Sequence, residues 1–268
     1  MELKVYNKDG IEQGTKVLPV QFEEAVREDL IARAVSTIQS NARQAYGADP
    51  SAGKRHSAKL SKRRRKYRGS YGFGISRVSR KILSRNGTRF NWTAAFVGNA
   101  VGGRTPHAPT AEKNYTKKLN TKERKKAIRS ALAASVDANI VSNRGHAVPK
   151  GYPFVLSDDV EALAKTKDVV AFLTKMSLTD ELARAKIKKV RAGKGKSRSR
   201  RYKQRVGPLV VVSKDSALLQ SANNIPGLDV VVVDKVNASL LAPGTHAGRM
   251  TFFTTKALDE MQERRLFL

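Results

Sequence analysis

The strongest constraint on what this chain can fold into is where its carboxylates are missing. Residues 50–111 carry 15 Lys and Arg and no Asp or Glu, and residues 182–214 carry 13 and again none. Such a stretch cannot offset its own repulsion, and the first one also has too little apolar content to build a core. The other 173 residues hold 24 cations against 23 anions, so they are almost neutral and long enough for one substantial hydrophobic core. The formal charge of +29 over 268 residues is therefore the property of two segments.

Long single-sign cationic tracts call for a polyanion, either nucleic acid or an anionic membrane. A membrane fits poorly. The apolar runs, Leu209–Val212 and Val230–Val233 among them, are far too short to span a bilayer. The tracts are rich in Gly and Ser and lack the apolar face of an interfacial helix. Met1-Glu2-Leu3-Lys4 runs straight into strand-like sequence with no apolar leader, and there is no Cys. The expectation is a cytoplasmic protein without disulfides or thiolate metal sites.

The near-neutral part reads as α/β. Leu3 and Val5 alternate with polar residues, and Asp9-Gly10 is a turn dipeptide, so Ile11–Leu18 should return as a hairpin. Phe22, Val26, Leu30, Ala34 and Ile38 recur at helical spacing, which predicts a helix from Gln21 with Glu23, Glu24, Glu28 and Asp29 at its positive end. Asn120-Thr121-Lys122-Glu123 has the form of a capping box, followed by a small-residue face of Ala127, Ile128, Ala131, Leu132 and Ser135. Phe154–Leu156, Leu209–Val212, Val230–Val233 and Met250–Phe253 read as short strands separated by helical segments. Strands buried on both faces and alternating with helices predict a three-layer, mostly parallel, Rossmann-like sheet flanked by helices. The domains expected are a globular body from 1–46 and 111–268, a long extended basic loop at 47–110, and a second basic loop at 191–206. In residues 51–110 neither the helical nor the strand period persists.

Enzyme chemistry finds little purchase. No strand candidate is followed by G-x-G-x-x-G. Gly193-Lys194-Gly195-Lys196-Ser197 imitates the end of a phosphate loop, but Val190 stands where the first Gly is needed and the segment precedes a strand. His56, His107, His146 and His246 lack metal-ligand spacing and read as polar loop histidines, while Asp158-Asp159 and Asp180-Glu181 read as helix-start acids. No catalytic residue and no protein-held metal is expected. Tyr67, Tyr71, Phe73, Phe90 and Trp92 are interleaved with Arg and Gly in the first tract, a mixture suited to phosphate contact and stacking on unpaired RNA bases. Two other readings stay open: a nucleotide-dependent, RNA-associated enzyme on the Rossmann-like body, and a chromatin-type DNA compactor.

The runs Tyr46-Gly-Ala-Asp-Pro-Ser-Ala-Gly-Lys-Arg55, Tyr71-Gly-Phe-Gly-Ile-Ser-Arg-Val78, Val101-Gly-Gly-Arg104 and Asn120–Ala131 resemble the L-four family of large-subunit ribosomal proteins, in its archaeal–eukaryotic branch. Later matches are Arg144-Gly145-His146, Arg191-Ala-Gly-Lys-Gly195 with Arg200-Arg201-Tyr202, Gly207-Pro-Leu-Val210, and Leu241-Ala-Pro-Gly244 with Gly248-Arg249. The pattern departs at Thr105-Pro-His-Ala-Pro109, where the family has Arg-Ala-His-Pro-Pro, and in the extra-basic run Lys62–Lys66.

The resemblance implies a body on the outside of the large subunit and a loop threading into its rRNA. The loop end, near Gly69–Lys81, would form part of the narrow nascent-peptide exit tunnel. Candidate rRNA contacts in the first tract are Lys54, Arg55, Lys62, Arg63, Arg64, Arg65, Lys66, Arg68, Arg77, Arg80, Lys81, Arg85, Arg89, Arg104 and His107. In the second tract they are Lys194, Lys196, Arg198, Arg200, Arg201, Tyr202 and Arg205. Tyr71, Gly72, Phe73, Gly74 and Arg77 would lie nearest the tunnel. Implied partners are large-subunit rRNA, neighbouring ribosomal proteins and the nascent peptide, with no membrane and no small-molecule substrate. No cofactor is implied beyond structural Mg ions held mainly by the rRNA.

Overall fold

The computed structural model describes residues 1–66 and 69–268, so Arg68 and Tyr67, both singled out above, lie outside the described residues. The chain divides into two compact units, Met1–Ala42 with Thr116–Leu268, and Arg43–Tyr115.

The first unit starts with the expected hairpin. Strands β1 (Glu2–Tyr6) and β2 (Glu12–Val17) pair antiparallel. The turn is tied by Asn7, whose side-chain oxygen accepts from the backbone N–H of Asp9 at 2.9 Å and of Ile11 at 3.0 Å. The first helix, α1 (Glu28–Asn41), begins later than its periodicity predicts. Gln21 is drawn into the core instead, donating to the carbonyls of Met261 at 3.0 Å and Leu266 at 3.1 Å. The Arg27 N–H donates to Ser130 Oγ at 2.6 Å, and Glu24 pairs with Arg129 at 2.8 Å. Only Glu28 and Asp29 therefore occupy the first helical turn.

Strands β3 (Arg80–Asn86) and β4 (Arg89–Ala94) belong to the second unit. Helix α2 (Thr121–Val136) follows, and the capping box does not form. Asn120 makes no side-chain cap bond, and Glu123 lies instead 3.0 Å from Arg33 on α1, an ion pair without hydrogen-bond geometry. Next come α3 (Ala138–Asn143), β5 (Phe154–Leu156), α4 (Thr166–Lys175) and α5 (Thr179–Lys186). Short strands β6 (Lys189–Val190) and β7 (Tyr202–Lys203) bracket the second basic loop. The chain continues through β8 (Leu209–Val212), α6 (Ala217–Ala222), β9 (Asp229–Val232), α7 (Ala238–Leu241), β10 (Thr251–Phe253) and α8 (Thr255–Glu263).

The architecture is mixed α/β, built from small sheets. One has the order β2-β1-β5, with β1 and β5 parallel, and the other the all-parallel order β10-β8-β9. A single parallel bridge, Leu156 to Thr254, joins their facing edges. The bridge lies where both strands end: the Ser157 N–H continues the β1–β5 ladder to Tyr6 O at 2.8 Å, and Thr254 turns to cap α8.

Both faces are covered. Along β8, Leu209 and Val211 join one core cluster and Val210 and Val212 the other. Val155 and Phe253 face the first cluster, while Phe154, Leu156 and Phe252 face the second. Helices α1, α2, α7 and α8 supply the first cluster, and α4 and α6 the second. This opposite-face alternation is the physical content of strands that read as unbroken apolar runs. The small face of α2 is buried as its spacing predicts, with Ala127, Ala131 and Leu132 fully enclosed.

Because α1 and α2 meet across those small side chains, Ala131→Leu should overpack the contact and cost about 1–3 kcal/mol, read as a lowered urea midpoint.

Candidate nucleic-acid interface

The unit Arg43–Tyr115 has almost nothing inside. Among its described residues, Ala95 is the one buried hydrophobic side chain, and neither core cluster takes a member from it. It holds its shape by close backbone approach and by ring and cation contacts.

Two runs of chain lie side by side in opposite directions. Tyr46 stacks on Tyr115 with centroids 6.2 Å apart and planes 11° apart, and the Arg43 guanidinium sits 4.2 Å from the Tyr115 centroid. Further along, the Ala48 N–H donates to Pro109 O at 2.9 Å. Gly53 then passes so close to Gly103-Arg104 that a Cβ would lie 2.5 Å from Arg104 Cα, so no larger residue fits. Lys59 and Arg80 form an antiparallel bridge, closing off residues 60–79.

From Arg80 the chain forms the antiparallel ribbon β3–β4, turning at Gly87 (φ +57°). No period was expected in this region, and here the structure corrects that expectation. The available signal was Asn86-Gly87, the strongest short hairpin dipeptide, followed by Phe90 and Trp92 two residues apart. Phe90 pairs across the ribbon with Arg85, and Trp92 with Ile82. Arg85 lies 5.5 Å from the Phe90 centroid and Arg80 5.8 Å from Trp92, so cations flank the aromatic pair.

The expected contacts are accessible. Lys54, Arg55, Lys62, Arg63, Arg64, Arg65, Lys66, Arg77, Arg85, Arg89 and His107 are exposed, while Arg80, Lys81 and Arg104 are half-buried. Of the first tract's cations, Arg55 alone among the described residues meets a carboxylate, that of Asp49. Tyr71 has Arg64 5.9 Å and Arg77 5.6 Å from its centroid. Gly72, Phe73 and Gly74 are open to solvent beside it.

In the first unit, Lys194, Lys196, Arg198, Arg200, Arg201, Tyr202 and Arg205 are all exposed, on or just beyond the loop between β6 and β7. That loop curls so that the Arg198 and Arg200 N–H groups both reach Gly195 O at 3.1 Å. Gly193–Ser197 is thus a short 3-10 turn between two strands, not a strand-to-helix phosphate loop.

The root of the second loop is held by buried charge that the residue pattern did not reveal. Glu181, expected to be a plain helix-start acid, is fully buried on α5. Its carboxylate accepts from Arg184 at 2.5 and 2.7 Å and from the Ala147 N–H at 3.0 Å, and lies 2.7 Å from His146 Nδ1. His146 is therefore a buried network member and not a polar loop histidine. Arg184 also donates to Val206 O at 2.7 Å. Arg249, 1% exposed, continues the clamp by donating to Gly207 O at 2.9 Å, Leu240 O at 3.0 Å and the Asp229 carboxylate. A buried guanidinium is tolerable only when its donors are used in this way.

At the carboxyl ends of β8 and β9 a cavity of about 570 Å³ is lined by Lys214, Lys235 and Arg264, but also by Asp215, Asp234, Glu260 and Glu263. At the carboxyl end of β8, Glu161 accepts from the Ser213 N–H and Oγ, both at 2.9 Å, and from Thr254 Oγ1 at 2.6 Å. Asp158 accepts from Thr255 Oγ1 at 2.7 Å and the Lys256 N–H at 2.8 Å. Carboxylates thus sit where an open α/β sheet would receive phosphate. Among the described residues, no group of three or more His, Asp or Glu could hold a metal ion, and no helix is long and apolar enough to cross a membrane.

The chain thus joins an α/β body to a cationic unit with almost no core of its own. Sequence comparison supplies the family. The profile of the ribosomal protein L4/L1 family matches residues 15–264. The chain is 49% identical over 268 residues to the large ribosomal subunit protein uL4 of Nanoarchaeum equitans, covering 100% of both chains. It is 42% identical over 259 residues to the protein of the same name from Methanococcoides burtonii, covering 96% of each. The chain belongs to the ribosomal protein L4/L1 family, whose members are structural proteins and not enzymes.

The buried carboxylate makes a pH prediction. Burial works to raise the Glu181 pKa, but the hydrogen bonds from Arg184, His146 and Ala147 outweigh it and bring it from the ordinary 4.5 to about 2. The folded value lies below the unfolded one, so the stabilisation is complete above pH 4.5 and is lost as pH falls towards 2. Glu181→Gln should lower the urea midpoint at neutral pH, and its deficit against the wild type should shrink through that window.

Proposed function

We infer that this protein is a structural constituent of the large ribosomal subunit that binds large-subunit rRNA. The observation that carries this reading is the unit Arg43–Tyr115, which has no core of its own and no acid among 15 cations in residues 50–111. A segment of that kind gains order when a polyanion neutralises it and lies against its rings. Residues 47–110 form the rRNA-penetrating loop and residues 191–206 a second contact. Both use the exposed cations named above, and Mg ions at these contacts are held by the RNA. The part around Tyr71–Arg77 contributes to the wall of the nascent-peptide exit tunnel. The protein acts in the cytoplasm as part of the ribosome, against rRNA and neighbouring ribosomal proteins.

The two body sheets are halves of one Rossmann-like layer. The Leu156–Thr254 bridge and the helices on both faces support this reading. The layer serves as a rigid mount.

Two measurements test the function. The protein should co-sediment with the large subunit and remain there through a high-salt wash. Deleting residues 54–90 should leave a folded body, since both core clusters lie outside it, while abolishing assembly into the subunit; an unfolded body would refute the two-part description. For the free protein, replacing Lys62, Arg63, Arg64, Arg65 and Lys66 by Gln should flatten the dependence of log K on log salt by about 2–4, since each phosphate neutralised adds about 0.7–0.9 to that slope. An unchanged slope would remove that run from the RNA contact.

A further inference from the structure

The β3–β4 ribbon presents one face on which side chains alternate between cation and ring. Phe90, Trp92 and Ala94 share it, because residues two apart on a strand point the same way. Their cross-strand partners Arg85, Ile82 and Arg80 stand directly opposite. The order along this face is therefore Arg85 with Phe90, then Trp92 with Ile82, then Arg80. Phe90 and Trp92 lie with centroids 6.3 Å apart and planes 35° apart, tilted and not closed into a stack.

In front of this face lies a groove of about 560 Å³, lined by Phe73, Ile75, Phe90 and Trp92 together with Lys66, Gly69 and Thr88. Phe73 is 72% exposed, so with Ile75, Phe90 and Trp92 it makes this an apolar patch open to solvent. No carboxylate lines the groove, and none occurs anywhere in residues 50–111.

We propose that this groove receives an unpaired RNA base, stacked against Phe73, Phe90 and Trp92, while Lys66, Arg80 and Arg85 take the phosphates on either side. The proposal rests on the RNA-binding reading above and deepens it, turning a general cationic surface into a specific subsite for a base displaced from its helix. Charge complementarity selects the occupant. An aromatic slot would also accept an apolar peptide side chain, but a slot lined by Lys66, with Arg80 and Arg85 beside its rings and no acid, is matched by a base carrying its own phosphates. Stacking makes the subsite selective for single-stranded over paired RNA, because a paired base presents only its edges. It does not select which base, since every base has a π-face.

Trp92 is the chain's single tryptophan and sits in the groove, so its fluorescence reports on the subsite alone. The full-length protein is titrated with an unstructured RNA of about 12 nucleotides, within the usual single-strand site size, and separately with the same sequence as a duplex. The single strand should quench Trp92, whereas the duplex should bind in a salt-dependent way with little quenching. Phe73→Ala should weaken single-strand binding by about 5- to 100-fold, the range of one base–aromatic stack, and leave duplex affinity unchanged. Phe73→Tyr, which keeps the ring, should restore it. Phe73 belongs to neither core cluster, so these variants test the groove and not the fold.

Equal quenching by both RNAs, or an unchanged single-strand affinity in Phe73→Ala, would overturn the base subsite while leaving salt-dependent RNA binding standing. Quenching by an uncharged apolar peptide but not by RNA would assign the groove to a peptide instead. Absence of any salt-dependent RNA binding would overturn the underlying reading as well.

Discussion

Like charges in a segment without a core must be balanced from outside, and the architecture of this protein follows from that. Residues 50–111 bring 15 cations and no acid, and the unit containing them buries a single hydrophobic side chain among its described residues. Its internal order comes from contacts that survive in water: the Tyr46–Tyr115 stack with Arg43 on it, the close crossing at Gly53, and the β3–β4 ribbon. A ring stack or a cation over a ring is worth little, on the order of 1 kcal/mol. Such contacts shape a surface without sealing it, which suits a segment whose remaining contacts lie with a partner.

The body solves the opposite problem. It must keep its roots fixed while carrying a cationic loop, and it does so with buried charge. Glu181 neutralises Arg184 beneath the second basic loop, and Arg249 directs its donors to Gly207, Leu240 and Asp229. The same logic explains Glu161 and Asp158, which tie strand ends to the start of α8 where a nucleotide-binding sheet of this layout would keep an open phosphate site. Arginine therefore has two roles here: exposed over most of the tracts, where no acid meets most of it, and drawn inward at the loop root, where half-buried Arg184 and buried Arg249 each have a carboxylate partner.

Much of this was legible in the residues. The hairpin at Asp9-Gly10, the buried face of α2 and the apolar strands β5, β8, β9 and β10 all follow from local periodicity and turn chemistry. The β3–β4 ribbon was also written in the chain, at Asn86-Gly87 with Phe90 and Trp92, but the surrounding basic residues hid its alternation. The late start of α1, the absent capping box at Asn120 and the buried Glu181 were not legible. In each case a side chain abandoned a local partner for one far along the chain: Gln21 for Met261, Glu123 for Arg33, Glu181 for His146.

The sequence by itself determined the division of labour, because charge balance and apolar content are additive properties that need no coordinates. It separated a neutral α/β body from two cationic segments and carried the family pattern along the whole chain. Tertiary structure decided which charges are structural and which are free, and which rings share a face. Those outcomes depend on distances between residues remote in the chain, and a buried ion pair or an open aromatic groove exists only once the backbone has brought its members together.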